Sequence, residues 1–175
     1  DDLGLKRTVT TVIPDAAHSP LSPDPAVRQT GFEHLARVVE CCEALGAEVA
    51  TWVGAGDVIL LSGPLGAGKT TFTRGVGRAL DVSGAITSPT FVIAREHAGS
   101  PNLIHVDAYR VGSAWELEDL DLDTDNAVTV VEWGTQIAHG LADRRLEITI
   151  ERGDELGDDQ RHVVITAVGG FSPKA

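Results

Sequence analysis

One short glycine-rich segment carries the residue types that hold a phosphate group. Gly63–Thr70 reads GPLGAGKT and matches G-x-x-x-x-G-K-[ST] at every fixed position. Its glycines let backbone N–H groups curve around an anion, and the start of the following helix adds partial positive charge. In this motif the lysine reaches the β- and γ-phosphates of a nucleotide, and the threonine hydroxyl holds Mg²⁺. The segment therefore predicts that Lys69 and Thr70 bind ATP and Mg²⁺, and that the ATP is hydrolysed.

Two acidic residues each end an apolar stretch and are candidates for further metal and water contacts. Asp107 closes LIHVD, which has the form of a Walker B element, and Glu132 closes VTVVE. A carboxylate at the end of a strand beside a phosphate loop can bind the metal ion or orient the attacking water. The spacing of Asp107 also fits an acid that caps the following turn, and that of Glu132 also fits an ordinary strand-end glutamate.

The hydroxyl-rich segment ITSPTF at 86–91 is a further candidate. Mobile loops that place a threonine near the γ-phosphate act as nucleotide sensors. The spacing alone is equally typical of a plain turn held by the proline.

These candidates need a sheet and helices to bring them together, and the apolar pattern predicts both. Apolar residues recur at three- and four-residue steps from Phe32 to Trp52, which is typical of a helix. Thr30 and Glu33 have capping-box spacing at its start, although a start nearer Glu40 also fits. The other predicted elements are strands at 57–62, 90–97, 103–110, 128–133, 146–151 and 162–168, and helices at 68–80, 113–120 and 135–142.

The first 29 residues differ in composition from the rest of the chain. Four prolines at 14, 20, 23 and 25 lie among Asp, Ser and Ala, which is typical of a linker. We predict an irregular N-terminal extension over 1–29, in which Thr8–Ile13 also fits an edge strand, and one domain over 30–175. The predicted fold class is α/β: a single P-loop NTPase-like domain with a mixed β-sheet flanked by helices.

The composition argues against several other classes of protein. The chain has 175 residues and a formal net charge of −12, from 26 acidic and 14 basic residues. Nucleic-acid-binding proteins usually have a basic surface, so we expect a basic partner protein rather than tight RNA binding, although many acidic proteins are simply soluble. No apolar run approaches the roughly 18 residues that span a membrane, and no secretory signal is recognised. We therefore expect a cytoplasmic protein without a membrane segment.

Cysteine and histidine offer no metal site. Cys41 and Cys42 are adjacent and form no zinc-binding pattern, which suits a reducing cytoplasm. The six histidines show no metal-ligand spacing, so we interpret them as structural.

Taken together, the motifs resemble those of the TsaE family, which serves the synthesis of threonylcarbamoyladenosine in bacterial tRNA. GPLGAGKTTFTRG, ITSPTFVIAREH, LIHVDAYRV, ELEDLDLD and VVEWG follow that family's order and spacing over about residues 40–170. SPTF followed by HVDAYR and VEW is far more specific than the phosphate loop alone. The resemblance implies an ATPase that supports a complex of TsaD, which transfers the threonylcarbamoyl group, and its companion TsaB. tRNA would be contacted only indirectly.

The resemblance also implies roles for individual residues. The catalytic residues would be Lys69, Glu132, Asp107 and the switch-loop residue Thr90, and the Mg²⁺ ligands would be Thr70, Asp107 and Glu132. ATP or ADP would be held by Leu65, Gly66, Ala67, Gly68, Lys69, Thr70, Thr71 and Thr135. Two positions depart from the family pattern: Cys41-Cys42 stands where a threonine often lies near the adenine, and Gly134 stands where proline is frequent.

Two other functions share the phosphate loop. A small-molecule kinase would have the same loop and often the same aspartate, but such enzymes usually carry an arginine-bearing lid. Arg74, Arg78 and Arg95 are scattered along this chain. A non-hydrolysing nucleotide-binding regulatory module would bind ATP without releasing phosphate. Phosphate transfer to metabolites would identify the kinase, and binding without phosphate release would identify the module.

Overall fold

A mixed β-sheet forms the centre of the protein, of which a computed structural model describes residues 6–9, 23–137, 142–152 and 161–172. The strands are β1 Lys6–Val9, β2 Val58–Ser62, β3 Ala94–His97, β4 Asn102–Asp107, β5 Ala127–Glu132, β6 Arg145–Arg152 and β7 Arg161–Val168. They form one seven-stranded sheet in the order β1-β7-β6-β2-β5-β4-β3. β2 is parallel to β5 and β6, and β4 is parallel to β5, whereas the other pairs are antiparallel.

Helices cover both faces of this sheet. They are α1 Pro25–Ala50, α2 Lys69–Ala79 and α3 Ala114–Glu118, with short 3₁₀ turns at Ala108–Arg110, Thr124–Asn126 and Gly134–Gln136. α1 and α2 bury Val49 and Phe72 against one face, and α3 buries Leu117 against the other. β2 and β5 are apolar on both faces because both are covered. The predicted α/β class with a mixed sheet flanked by helices is confirmed. No helix of the described ranges has the length and apolarity to cross a membrane.

The first helix begins earlier than the capping pattern predicts. α1 starts at Pro25, and the Asp24 carboxylate caps it by accepting a hydrogen bond from the N–H of Ala26 at 2.8 Å. Proline fits the first helical position because that position needs no N–H donor. Thr30 lies inside the helix, where its hydroxyl donates to the Ala26 carbonyl. The predicted starts at Thr30 and near Glu40 are therefore wrong, because Asp-Pro at 24–25 provides the start.

Two strands around the predicted switch segment are shorter than predicted. The strand predicted at 90–97 forms only from Ala94, because the N–H groups of Val92 and Ile93 both donate to the Pro89 carbonyl and close a turn. The strand predicted at 103–110 ends at Asp107, whose carboxylate caps a 3₁₀ turn.

The remaining differences concern element ends. The helix predicted at 113–120 is reduced to α3, and that at 135–142 is replaced by the 3₁₀ turn at Gly134–Gln136, with 138–141 outside the described residues. The strands predicted at 146–151 and 162–168 are confirmed as β6 and β7, which pair antiparallel. Of the edge-strand segment Thr8–Ile13, the first two residues belong to β1, which pairs with β7, and the rest lies outside the described residues. The division of the chain at residue 30 stays a prediction.

Two glycines set the distance between α1 and α2. A Cβ atom on Gly46 would lie 2.1 Å from the Phe72 carbonyl oxygen, and one on Gly75 would lie 2.0 Å from the Glu43 carbonyl oxygen. The helices therefore cross backbone against backbone. Since α2 begins at Lys69, this crossing positions the helix that follows the phosphate loop.

We expect Gly75→Ala to lower the free energy of unfolding by about 1–3 kcal/mol or more, because the added methyl group meets backbone that cannot move aside. This loss should exceed the roughly 1 kcal/mol by which alanine favours a helix over glycine. Gly77→Ala is the matched control, because its Cβ would meet the Ile86 Cδ1 atom, which can rotate away. Urea unfolding of both variants gives the comparison. A Gly75→Ala protein as stable as wild type would contradict the close crossing.

Candidate phosphate-binding site

The carboxyl ends of three parallel strands bring the candidate residues to one edge of the sheet. β2 leads directly into the phosphate loop, β5 ends at Glu132, and β4 ends at Asp107. In the strand register Glu132 lies opposite Asp107 on one side and Leu61 on the other. Crevices at the carboxyl ends of parallel strands are where ligands bind in open α/β sheets.

The backbone of the phosphate loop requires its glycines. Gly63, Gly66 and Gly68 have φ angles of 137°, 73° and 116°, which residues with a Cβ rarely adopt. A Cβ on Gly63 would also lie 2.0 Å from the Ile150 carbonyl oxygen. Gly68 is the N-cap of α2, and no side chain among the described residues caps that end. The first N–H groups of α2 are therefore available to an anion.

The Lys69 ammonium lies at the floor of this edge and is almost fully buried. Its Nζ atom donates to the carbonyls of Gly63 at 2.8 Å and Pro64 at 3.0 Å, and lies 3.6 Å from the centroid of the Trp133 ring. Burial lowers the pKa of Lys69, and the carboxylates of Glu132 and Asp107 act in the opposite direction. A buried ammonium flanked by two acids is a suitable counter-charge for phosphate.

A chain of hydrogen bonds links the phosphate loop to the core through Glu132. The Thr70 hydroxyl donates to Glu132 Oε1 at 2.8 Å, and His105 Nε2 lies 2.8 Å from the same oxygen. Glu132 is only 3% exposed. The loop threonine is thus joined directly to a carboxylate on the neighbouring strand.

Asp107 has different partners. Its Oδ2 atom accepts hydrogen bonds from the hydroxyls of Thr90 and Ser88, and its Oδ1 atom accepts one from the N–H of Tyr109. Arg110 donates to the carbonyl of Thr90. The segment predicted as a switch is therefore attached to Asp107 by two hydroxyl groups.

These side chains surround an open cleft of about 370 Å³. Most of the predicted site residues line it: Leu65, Gly66, Gly68, Lys69, Thr70, Thr71, Thr90, Asp107 and Glu132, together with Ser88 and Trp133. Ala67 and Thr135 are not among the lining residues; the Thr135 hydroxyl instead lies 2.9 Å from that of Ser62.

The donor set of the cleft fits a magnesium ion that is held partly by phosphate. No group of three or more His, Cys, Asp or Glu side chains in the described ranges forms a metal site by itself. Mg²⁺ with a nucleotide usually takes one or two carboxylates plus phosphate oxygens and water. The Thr70 hydroxyl and the carboxylates of Glu132 and Asp107 provide ligands of that kind.

Comparison with known proteins decides the family. The family model described as "Threonylcarbamoyl adenosine biosynthesis protein TsaE" matches residues 37–163. The chain belongs to the TsaE family. The TsaE protein of Streptomyces coelicolor is 51% identical over 132 residues, which cover 71% of this chain and 89% of that protein. The TsaE protein of Bacillus subtilis is 42% identical over 131 residues, covering 73% of this chain and 80% of that protein.

A solved structure agrees with this family assignment. The crystal structure of YdiB from Bacillus subtilis superposes with a TM-score of 0.61 and 37% identity, covering 75% of this chain and 81% of that one. The chain is thus a TsaE-family protein of tRNA threonylcarbamoyladenosine biosynthesis, and the resemblance inferred from its motifs is confirmed.

Sequence reasoning missed several contacts of this TsaE-family site. The spacing of the histidines predicts only a structural role for His105, yet it contacts Glu132. Nothing in the hydroxyl-rich segment distinguishes Ser88, which contacts Asp107. The signal for His105 was its position two residues before Asp107, because alternate residues of a strand share one face. Trp133 lies over Lys69 because its backbone turns at a φ of 64°, and nothing in the spacing indicates that turn.

The cysteines at the departure from the family pattern lie behind the phosphate loop. Cys42 is buried, and its Sγ atom is 3.0 Å from the position of a Cβ on Gly68. Burial raises the pKa of the Cys42 thiol. Cys42 therefore packs against the loop as a small apolar residue, and Cys41 is partly exposed beside it.

Proposed function

We propose that this TsaE-family protein binds and hydrolyses ATP, and that it does so in support of TsaD and TsaB homologues that modify tRNA in the cytoplasm. The observation that carries the proposal is the hydrogen bond from Thr70 to Glu132 at the mouth of the glycine loop. It joins the threonine that holds Mg²⁺ in such loops to an acid on the adjacent parallel strand.

Six side chains of the cleft have a role in this proposal. Lys69 and the first N–H groups of α2 neutralise the phosphates, and Thr70, Asp107 and Glu132 hold Mg²⁺. The bound ion would balance the charge that develops on the transferring phosphoryl group. Glu132 also orients the attacking water. Thr90 and Ser88, attached to Asp107, lie where they can respond to the γ-phosphate.

The family's place in threonylcarbamoyladenosine biosynthesis and the charge of the chain support these partners. The net charge of −12 favours a division of labour in which tRNA binds mainly to other proteins. TsaD would transfer the threonylcarbamoyl group, TsaB would accompany it, and ATP hydrolysis here would support turnover of their complex.

Phosphate release is the experiment that tests this function. The purified protein is mixed with ATP and Mg²⁺, alone and with TsaD and TsaB homologues, and we expect slow release alone and faster release with the partners. ATP binding without release under both conditions would support a regulatory module instead. Transfer of the γ-phosphate to a member of a metabolite panel would support a kinase.

The acidic segment at 115–123, which follows β4 and contains α3, is our candidate docking surface for these partners. The Glu116 carboxylate accepts hydrogen bonds from the Gly112 N–H and the Ser113 hydroxyl, so it stabilises the start of α3. Leu117 is buried, whereas Trp115 is 74% exposed. An exposed tryptophan is a frequent anchor of protein interfaces.

We expect Trp115→Ala to weaken binding to the TsaD and TsaB homologues by roughly tenfold or more, the usual effect of removing an interface anchor. ATP binding by the isolated protein should not change, because Trp115 does not line the cleft. Phe32→Ala on α1 is the matched control, since Phe32 is also a largely exposed aromatic residue. Titration calorimetry with the partners compares both variants. Equal affinity of wild type and Trp115→Ala would exclude this surface.

A further inference from the structure

A buried imidazole lies directly behind the Glu132 carboxylate. His105, in β4, has no exposed surface, and its Nε2 atom lies 2.8 Å from Glu132 Oε1. An ionised carboxylate can only accept, so Nε2 carries the proton and donates it. Within the described residues the other ring nitrogen, Nδ1, has no hydrogen-bond partner. Glu132 is therefore the hydrogen-bond partner of this imidazole within the described residues.

This arrangement does not favour the stability of the fold. His105 shares its face of β4 with Leu103, a fully buried core residue. An apolar side chain at position 105 would pack beside Leu103 without burying a polar atom. The Nδ1 atom of His105 is buried without a partner within the described residues, which costs about 1–3 kcal/mol. Residues that break local rules in this way occur typically at functional sites. The hydrogen bond between His105 and Glu132 indicates that His105 serves the Glu132 carboxylate.

We propose that His105 is a positioning residue that fixes the Glu132 carboxylate for the metal ion and the attacking water. This inference rests on the proposed nucleotide site. Oε1 of Glu132 accepts from His105 on the core side and from Thr70 on the loop side. Rotation of the carboxylate would break both hydrogen bonds, so the group is held in one orientation. Because both hydrogen bonds go to Oε1, Oε2 is the oxygen left for metal or water.

The first test compares two substitutions at this position. His105→Leu removes the donor, and we expect Mg²⁺ affinity in the presence of ADP to fall roughly 10- to 100-fold, as for other groups that orient metal ligands. ADP affinity measured in EDTA should not change. His105→Gln places an amide N–H near the position of Nε2 and should recover most of the loss. Titration calorimetry with ADP, with and without Mg²⁺, measures all three proteins.

Three controls separate positioning from a structural role. His97→Leu removes another buried histidine of the same sheet. The Nε2 atom of His97 has no hydrogen-bond partner within the described residues, so this variant should keep the wild-type Mg²⁺ affinity. Thermal unfolding should show His105→Leu to be at least as stable as wild type. In a Glu132→Ala background, His105→Leu should have no further effect, because the imidazole acts through that carboxylate.

The outcomes distinguish this inference from the proposed function. If the wild-type protein releases no phosphate but binds ADP more tightly with Mg²⁺, the proposal of ATP hydrolysis is overturned. The Mg²⁺ affinities of the His105 variants then still test the role of His105. Unchanged Mg²⁺ affinity in His105→Leu would overturn the inference, and so would an equal loss in the Glu132→Ala background. Nucleotide affinity independent of Mg²⁺ in the wild type would overturn it as well, since no metal would then need positioning.

Discussion

Lys69→Ala is expected to lower phosphate release from ATP by roughly 100- to 1,000-fold, the range found when one preorganised group that stabilises developing charge is removed. The buried Lys69 ammonium already lies at the glycine loop, held by the carbonyls of Gly63 and Pro64. It therefore needs little reorganisation to meet a phosphate. Phosphate release by the variant is measured with the partner proteins present. The wild-type rate is expected to be higher under that condition, so a 1,000-fold loss can be measured.

A cation elsewhere on the same helix provides the control for Lys69. Arg78 is exposed near the end of α2, where it lies 3.6 Å from Glu43. Arg78→Ala should keep the wild-type rate, because a surface ion pair contributes little to stability and none of its atoms line the cleft. Unchanged hydrolysis in Lys69→Ala, with Arg78→Ala as active as wild type, would show that the loop is not the catalytic site.

The parts of the site that depend on local sequence could be predicted, because the chain itself brings them together. The glycine loop, the strand before it and the helix after it are contiguous, so eight residues identify all three. The acids Asp107 and Glu132 were expected at strand ends, and parallel pairing of β4 with β5 brings both to the same edge.

The partner of each acid could not be predicted, because that depends on strand order. Residue spacing does not indicate which of the two acids lies closer to Thr70, and this is decided by the position of β5 between β2 and β4. Glu132 is therefore the acid that Thr70 contacts, and Asp107 instead holds the hydroxyls of Ser88 and Thr90. Insertion of a strand between two others is a long-range event that residue spacing does not record.

Element ends were missed for a related reason. Thr30 and Glu33 have capping-box spacing, but neither side chain caps the helix. The Thr30 hydroxyl donates to the Ala26 carbonyl and the Glu33 carboxylate accepts from Gln29, both inside α1. The turn after Pro89 shortens β3 and at the same time directs Thr90 toward Asp107. Capping and turn signals compete locally, and tertiary contacts decide between them.

Glu132→Gln is expected to lower hydrolysis by roughly 100-fold or more, the usual scale for losing a positioned general base. The amide keeps the shape of the side chain but loses the negative charge that would activate water and balance Lys69. Nucleotide binding should be largely retained, because the loop, Lys69 and Asp107 remain. Phosphate release and ATP affinity, measured on the same preparation, separate the chemical step from binding.

Thr129→Val provides the matched control within the same strand. The Thr129 hydroxyl is buried in β5 and has no hydrogen-bond partner within the described residues. Its replacement by a methyl group should leave hydrolysis unchanged and stability equal or higher, since no buried polar atom is then left without a partner. If Glu132→Gln and Thr129→Val both hydrolyse ATP at the wild-type rate, Glu132 is an ordinary strand-end acid. The catalytic carboxylate must then come from Asp107. If only Glu132→Gln loses activity while its circular dichroism spectrum matches wild type, the loss arises from the carboxylate charge beside Thr70.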